Sequence, residues 1–301
     1  MGLILRAAVR THAGRIRENN EDNFYLQTRC RTDVTQPEAA YACDAADSRF
    51  LAAVADGMGG EAAGEKASLL AVQALCPCAI ERTEEYAHAA VMQANEEICT
   101  EMRKNGGSRM GSTLAALYID AGQFLCCNIG DSRCYRLRGG VLTQLSTDHN
   151  KAKRMVELGV LTKEQAARHP SRHELTQHLG IFPEEILIEP ALCGPQTVEA
   201  GDVFLLCSDG LTDMVDEDQI AAVLAGPGPA QTQADALVEQ ALAAGGRDNV
   251  TVLVVRAEPD KRAVLEQKLA RLNEFFCRSL GKGKPGTSIS DKVCGMMRRT
   301  V

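Results

Sequence analysis

Val54-Ala55-Asp56-Gly57-Met58-Gly59-Gly60 decides how this chain is read. An apolar, strand-like run stops at an aspartate, and glycine turns the backbone away. The same pattern recurs at Ile129-Gly130-Asp131-Ser132, Leu206-Cys207-Ser208-Asp209-Gly210 and Arg247-Asp248-Asn249-Val250. One Asp-Gly is a turn and nothing more, because Asp and Gly are the usual turn residues. Four carboxylates at strand ends, where sheet edges can converge, are different. Converging carboxylates repel one another unless they are protonated or bound to cations, and hard oxygen ligands select Mg²⁺ or Mn²⁺ over zinc. Gly57 has a chemical reason to follow Asp56, since a residue without a side chain lets its carbonyl approach a cation directly.

Outward from these turns, short β-rich runs fall at 3–11, 22–28, 49–55, 112–120, 123–129, 132–137, 202–207 and 249–256. Their apolar and β-branched content, bounded by Gly, Asp and Asn, predicts strands. Arg138-Gly139-Gly140-Val141 predicts a hairpin turn into a further run ending at Leu145. Apolar spacing of three and four residues predicts two helix pairs, at 62–75 with 84–104 and at 216–225 with 231–244. These elements do not alternate as βαβα, so a doubly wound parallel sheet fits them poorly. The order suits an α+β fold with antiparallel sheets and helices packed outside. The polar, helix-prone stretch 148–180 interrupts the strands as a functional loop or lid would.

Composition narrows the class. The chain has 301 residues, 45% hydrophobic and 24% charged, the balance of a globular protein. Residues 259–301 carry ten Lys/Arg against four Asp/Glu, so within the overall charge of −7 this tail is +6 and the remainder −13. An acidic body argues against nucleic acid as the main partner and fits one that gathers carboxylates around cations. No stretch reaches the roughly 20 apolar residues of a membrane span, and the start lacks signal-peptide features, so a cytoplasmic protein is expected. The twelve cysteines lie mostly in apolar runs without Cys-x-x-Cys pairing and read as buried free thiols. Leu265, Leu269, Leu272 and Phe276 share one face of a helix expected from about 260 to 280, and the end beyond Pro285 reads as disordered. The expected division is a catalytic domain over 1–258 and a basic tail over 259–301, whose helix packs on the body or binds a partner.

In order, Arg17-Glu18-Asn19-Asn20-Glu21-Asp22, the Asp56 loop, Gly111-Ser112-Thr113, Gly130-Asp131-Ser132-Arg133, Thr147-Asp148-His149, Ser208-Asp209-Gly210 and Asp248-Asn249 resemble the protein phosphatase 2C family. The resemblance spans about residues 5–256. His169-Pro170-Ser171-Arg172-His173-Glu174-Leu175-Thr176 looks like the flap of the bacterial-type branch. The fold so implied is a central antiparallel β-sandwich flanked by α-helices on both sides, with a dimetal site at one end of the sandwich. The activity implied is hydrolysis of phosphoserine and phosphothreonine on proteins by water activated between two Mn²⁺ or Mg²⁺ ions. Substrates would include a serine/threonine kinase or its targets.

Carried over residue by residue, Asp56 would bridge two cations, Asp209 and Asp248 would hold the first, and the Gly57 carbonyl would help hold the second. Glu21 would bind the second through water, and Asp22 would orient the groups around it. Asp131, with Asp209, matches the place where some members hold a third, weaker cation. Arg17 matches the phosphate-binding arginine, whose guanidinium can donate two parallel hydrogen bonds to a phosphoryl group. Arg133 and Arg172 read as structural or supporting. His149 belongs to an Asp-His pair leading into the flap and reads as structural. Met58 stands where some members carry a histidine, so the proton donor is unassigned. Cys207 reads as packing, since the Cys-x₅-Arg loop of cysteine phosphatases is absent. A non-catalytic phosphoprotein-binding module of the same fold, and a hydrolase of small phosphate esters, are the alternatives.

Overall fold

The computed structural model describes residues 3–33, 35–46, 49–59, 63–75, 84–166 and 168–260. The first half runs β1 (Leu3–His12), β2 (Asn23–Leu26), β3 (Arg29–Cys30), β4 (Glu38–Ala46), β5 (Phe50–Ala55), β6 (Gly57–Met58), α1 (Ala63–Gln73) and α2 (Glu84–Lys104). Next come β7 (Gly111–Ser112), β8 (Leu114–Asp120), β9 (Gln123–Ile129), β10 (Arg133–Arg138), β11 (Val141–Gln144), α3 (Lys151–Glu157) and α4 (Lys163–Ala166). The described residues close with β12 (Ala191–Thr197), β13 (Val203–Cys207), α5 (Asp209–Thr212), α6 (Glu217–Ala225), α7 (Ala230–Ala243) and β14 (Val250–Pro259).

Two six-stranded antiparallel sheets, β11-β10-β13-β14-β1-β4 and β12-β9-β8-β5-β2-β3, pack face to face. β5 shows why. Its six residues, Phe-Leu-Ala-Ala-Val-Ala, are all buried, which happens when a sheet is covered on both faces. Phe50, Ala52 and Val54 point into the sandwich against Leu206, Leu253 and Val255. Leu51, Ala53 and Ala55 point outward onto Ala67, Ala71, Val91 and Ile98 of α1 and α2. On the far side, Val252 and Val254 meet Leu237, Val238 and Ala241 of α7. The result is four layers, helices–sheet–sheet–helices, with each fully buried Phe, Leu or Val contributing about 1.5–3 kcal/mol.

Capping and charge set the helix ends. α2 carries Glu84 and Glu85 in its first turn and Arg103 and Lys104 in its last, the order that the helix dipole favours. Asp216 caps α6 in a reciprocal box with Gln219. The stretch 148–180 forms α3, α4 and a 3₁₀ turn (Pro170–His173). It is pinned at its base by His149 N–H to the Gly130 carbonyl (2.9 Å) and by pairing of Leu179 with Ser112.

Each of the eight predicted strands, the hairpin and both helix pairs has a counterpart, with one division: the run at 112–120 breaks at Thr113 into β7 and β8. β4 and β12, with the two-residue β3 and β6, escaped the sequence reading. β4 is Glu-Ala-Ala-Tyr-Ala-Cys-Asp-Ala-Ala, and alanine is a poor strand former. β12 contains Gly194-Pro195, which shifts its register against β9. No helix among the described residues is long and apolar enough to cross a membrane. The eight described cysteines are free thiols, five buried and three partly so. The expected tail helix and the segment beyond Pro285 lie outside the described residues.

Candidate metal and phosphate centre

Strand register brings the scattered aspartates together. Asn23 lies opposite Ala55, Leu114 opposite Ile129, His12 opposite Val250 and Cys207 opposite Val252. The ends of β5, β9 and β13 and the starts of β2 and β14 therefore meet at one end of the sandwich. Asp56, Asp131, Asp209, Asp248 and Glu21 project there into a cavity of about 710 Å³, together with Arg17, Gly57, Met58, Thr113, His173, His178 and Asn249.

Each carboxylate sits on a fixed backbone. Asp56 N–H donates to Thr113 Oγ1 (3.0 Å), and its carbonyl accepts from Thr113 N–H (2.8 Å) and Ser112 Oγ (3.0 Å). Gly130, at φ +95°, turns the chain into Asp131; a Cβ there would meet Thr113 at 2.6 Å. Ser208 precedes α5, so Asp209 opens that helix. Asn249 ties the start of β14 to the segment 13–21: its Oδ1 accepts from Glu21 N–H (2.7 Å), and its Nδ2 donates to the carbonyls of Ala13 (2.9 Å) and Asn19 (2.7 Å).

Asp22 differs from the rest. It lies beneath the cavity, fully buried, with Oδ2 accepting from Ser208 Oγ and Thr251 Oγ1, both at 2.7 Å. Its Oδ1 has no hydrogen-bond partner among the described residues. Burial, resisted by those hydroxyls and aided by Asp209 and Asp248, pushes Asp22 up to about 7. Burial and the neighbouring Asp209 push Asp131 up to about 8. Asp56 is raised well above the ordinary range by burial and then by Asp22, Asp209, Asp131 and Asp248. Glu21 is raised by burial, with Arg17 opposing. Asp22, Asp56 and Asp131 therefore keep their charge near neutral pH most readily beside positive charge, and an all-oxygen set fits a hard divalent cation. Gly57 packs backbone to backbone against α1, for a Cβ there would fall 2.1 Å from the Gly64 carbonyl oxygen.

Arg17 donates from Nη2 to Asp248 Oδ2 (2.8 Å) across a pair that is about half exposed. That hydrogen bond, then the Asp248 charge, raises its pKa. Pairs this open are weak in water and leave the guanidinium available to a phosphoryl group. Arg133 faces away, gripping Asp148 through Nε (3.0 and 3.1 Å) and Nη2 (2.6 Å). Arg172 pairs with Asp213 at 3.3 Å. His149 accepts from Gly130 N–H at 3.2 Å, and burial lowers its pKa, which suits a structural role. Cys207 is fully buried behind the site, its thiol pushed up to about 12 by burial.

Sequence reasoning missed three contributors. His173 reaches within 3.9 Å of Asp209 and 3.6 Å of Asp213, an approach between the flap and α5 that no spacing encodes. Ser68 Oγ donates to the Glu21 carbonyl at 2.5 Å. Gly64 lies against the Glu21 carboxylate, where a Cβ would stand 2.5 Å from Oε2. Only the Gly-rich run before α1 hinted at this close packing.

Comparison with known proteins agrees with this geometry. The serine/threonine phosphatase stp of Listeria monocytogenes is 34% identical over 266 residues, covering 84% of this chain and 96% of that protein. The crystal structure of the Mycobacterium tuberculosis serine/threonine phosphatase PstP/Ppp superposes with a TM-score of 0.71 at 36% identity, covering 85% of this chain and all of that one. The catalytic domain of PstP in complex with two manganese ions gives a TM-score of 0.68 at 35% identity, with 85% and 100% covered. The family model described as Protein phosphatase 2C matches residues 29–244. With that match added to the shared architecture and the carboxylates at one end of its sandwich, the chain belongs to the protein phosphatase 2C family.

Proposed function

We propose that this chain hydrolyses phosphoserine and phosphothreonine monoesters on proteins with the help of two Mn²⁺ or Mg²⁺ ions. The observation that carries this reading is the convergence of Glu21, Asp56, Asp131, Asp209 and Asp248 on one open cavity that also holds the Arg17 guanidinium. Asp56 would serve both cations, Asp209 and Asp248 the first, and Glu21, through water, with the Gly57 carbonyl the second. Asp131 with Asp209 would take a third, weaker one. When bound, the cations act as Lewis acids that lower the pKa of water and neutralise phosphoryl charge.

The protein's own groups do the rest. Arg17 binds and orients the phosphoryl oxygens by paired, charge-assisted hydrogen bonds. Asp22 stays below, holding Ser208 and Thr251 so that Asp209 and β14 keep their places. Asn249 keeps the Glu21 loop against the start of β14. The test is phosphate release from a phosphothreonine peptide with Mn²⁺, Mg²⁺ or chelator. Turnover is expected only with a divalent cation; full activity under chelation sinks the reading. Arg17→Ala is expected to lower kcat/KM about 10- to 100-fold, the loss of a charged hydrogen bond, and to leave Mn²⁺ binding intact. A phosphoprotein-binding module without catalysis would bind the peptide and release no phosphate under any of these conditions.

The same reading extends to context. We place its work in the cytoplasm, and the family resemblance puts a serine/threonine kinase or its targets among its substrates. The catalytic unit would end near residue 258, leaving 259–301 as a basic element for partner association. Deleting 259–301 is therefore expected to leave peptide turnover and melting temperature unchanged while reducing partner capture. Collapse of the truncated protein would assign the tail to the core instead.

A further inference from the structure

A buried guanidinium lies directly behind the loop that carries Glu21. Arg31 follows β3 and is only 4% exposed. The Asn23 side chain holds its main chain, accepting from Arg31 N–H (3.0 Å) and donating to the Arg31 carbonyl (2.9 Å). The guanidinium then turns back: Nη2 donates to the carbonyls of Asn20 and Asp22, the latter at 2.7 Å, and Nη1 to that of Gln36 at 2.8 Å.

Between those two carbonyls, that of Glu21 takes other donors, Gly57 N–H (3.2 Å) and Ser68 Oγ (2.5 Å). The Glu21 amide is spoken for as well, by Asn249 Oδ1. Three successive carbonyls are thus held, the outer two by one planar cation and the middle one by the Asp56 loop and α1. This fixes the peptide planes on both sides of Glu21 and so the direction in which its carboxylate leaves the chain.

Burying a guanidinium costs desolvation, and here burial pushes its pKa down. An apolar residue would pack this place more cheaply. What arginine supplies is a rigid planar fork whose two Nη atoms reach three carbonyls at once, those of Asn20, Asp22 and Gln36, where lysine would have a single nitrogen.

We propose that Arg31 is a positioning residue for the cation centre, holding the 20–22 backbone so that Glu21 and the Gly57 carbonyl face one ion together. This rests on reading the centre as a dimetal one. The test is calorimetric titration with Mn²⁺ alone, beside melting temperature and peptide kinetics, for Arg31→Gln, Arg31→Lys and Ser68→Ala. Arg31→Gln is expected to weaken the weaker Mn²⁺ site about tenfold or more, the usual cost of losing a group that orients a ligand. Arg31→Lys should fall between it and the wild type. KM for peptide and kcat at saturating Mn²⁺ should stay near wild type in both.

Ser68→Ala releases the same backbone from the other side and should weaken the same site, which keeps the proposal testable where Arg31→Gln does not fold. Wild-type Mn²⁺ affinity in Arg31→Lys and Ser68→Ala, whatever their melting temperatures, overturns it. The titration contains no substrate. A wild type that binds Mn²⁺ without turning over peptide would therefore sink the proposed reaction and leave this inference standing, whereas a wild type that binds no Mn²⁺ overturns both.

Discussion

Asp56→Asn is expected to lose about 10³-fold or more in turnover and, in the cation-free protein, to gain stability. The loss follows from its place: Asp56 is the carboxylate proposed to serve both cations, and metal assistance is worth several kcal/mol, with each 1.36 kcal/mol a factor of ten in rate. The gain follows from electrostatics. Asp56 is pushed well above the ordinary carboxylate range by burial and by four neighbouring aspartates, so an amide of the same shape removes a repulsion the folded chain otherwise carries. Its fixing hydrogen bonds to Thr113 and Ser112 are made by the backbone and survive the substitution. Relief of about 1 kcal/mol would raise the melting temperature by about 2–4 °C in a chain of this size. The check is a melting curve in chelator near neutral pH beside phosphopeptide kinetics with Mn²⁺. Wild-type turnover would remove Asp56 from the centre, and a lower cation-free melting temperature would make its carboxylate a structural group.

The second large effect is a dependence of cation stabilisation on pH. Asp22 at about 7 and Asp131 at about 8 both lie above the ordinary value of 3.8. For groups raised in the folded state, the stability they contribute is fully present below the unfolded value and is lost as pH rises through the folded one. The cation-free protein should therefore lose several kcal/mol between about pH 4 and pH 8, at about 1.4 kcal/mol per unit and group. Cations reverse this, because they replace the protons that the cluster would otherwise hold. The melting-temperature gain from Mn²⁺ over chelator should thus be small near about pH 5.5 and large near about pH 8. Taking the difference between the two conditions cancels groups outside the centre, such as the Arg138–Asp202 pair. An equal gain at both pH values would mean that the protonation of these carboxylates is not coupled to the ions.

Much of the site could be read before its geometry was known, for a local reason. Asp56, Asp131, Asp209 and Asp248 each follow an apolar run or precede one beside Gly or Asn, and turn chemistry of that kind is written in adjacent residues. Arg31, Ser68 and Gly64 had no such mark. Arg31 sits in Arg29-Cys30-Arg31-Thr32, where nothing local distinguishes the buried arginine from the exposed Arg29 two residues earlier. Ser68 is one polar residue on the buried face of α1. His173 stood in the flap motif, yet its approach to Asp209 depends on how 148–180 folds back over α5.

The sequence by itself determined most of the strands and the two helix pairs, that carboxylates stand at strand ends, and that hard cations suit them, because periodicity, turn residues and ligand type are properties of neighbours in the chain. Only the tertiary structure decided which strands pair, that Asp22 is a buried support while Asp56 faces the cavity, and that Arg31 grips the Glu21 loop from behind. Those outcomes depend on antiparallel register across residues such as Asn23 and Ala55 or His12 and Val250. They depend also on burial, which raises the cost of charge on Asp22, Asp56 and Asp131 and makes positive charge at the centre favour their ionised forms.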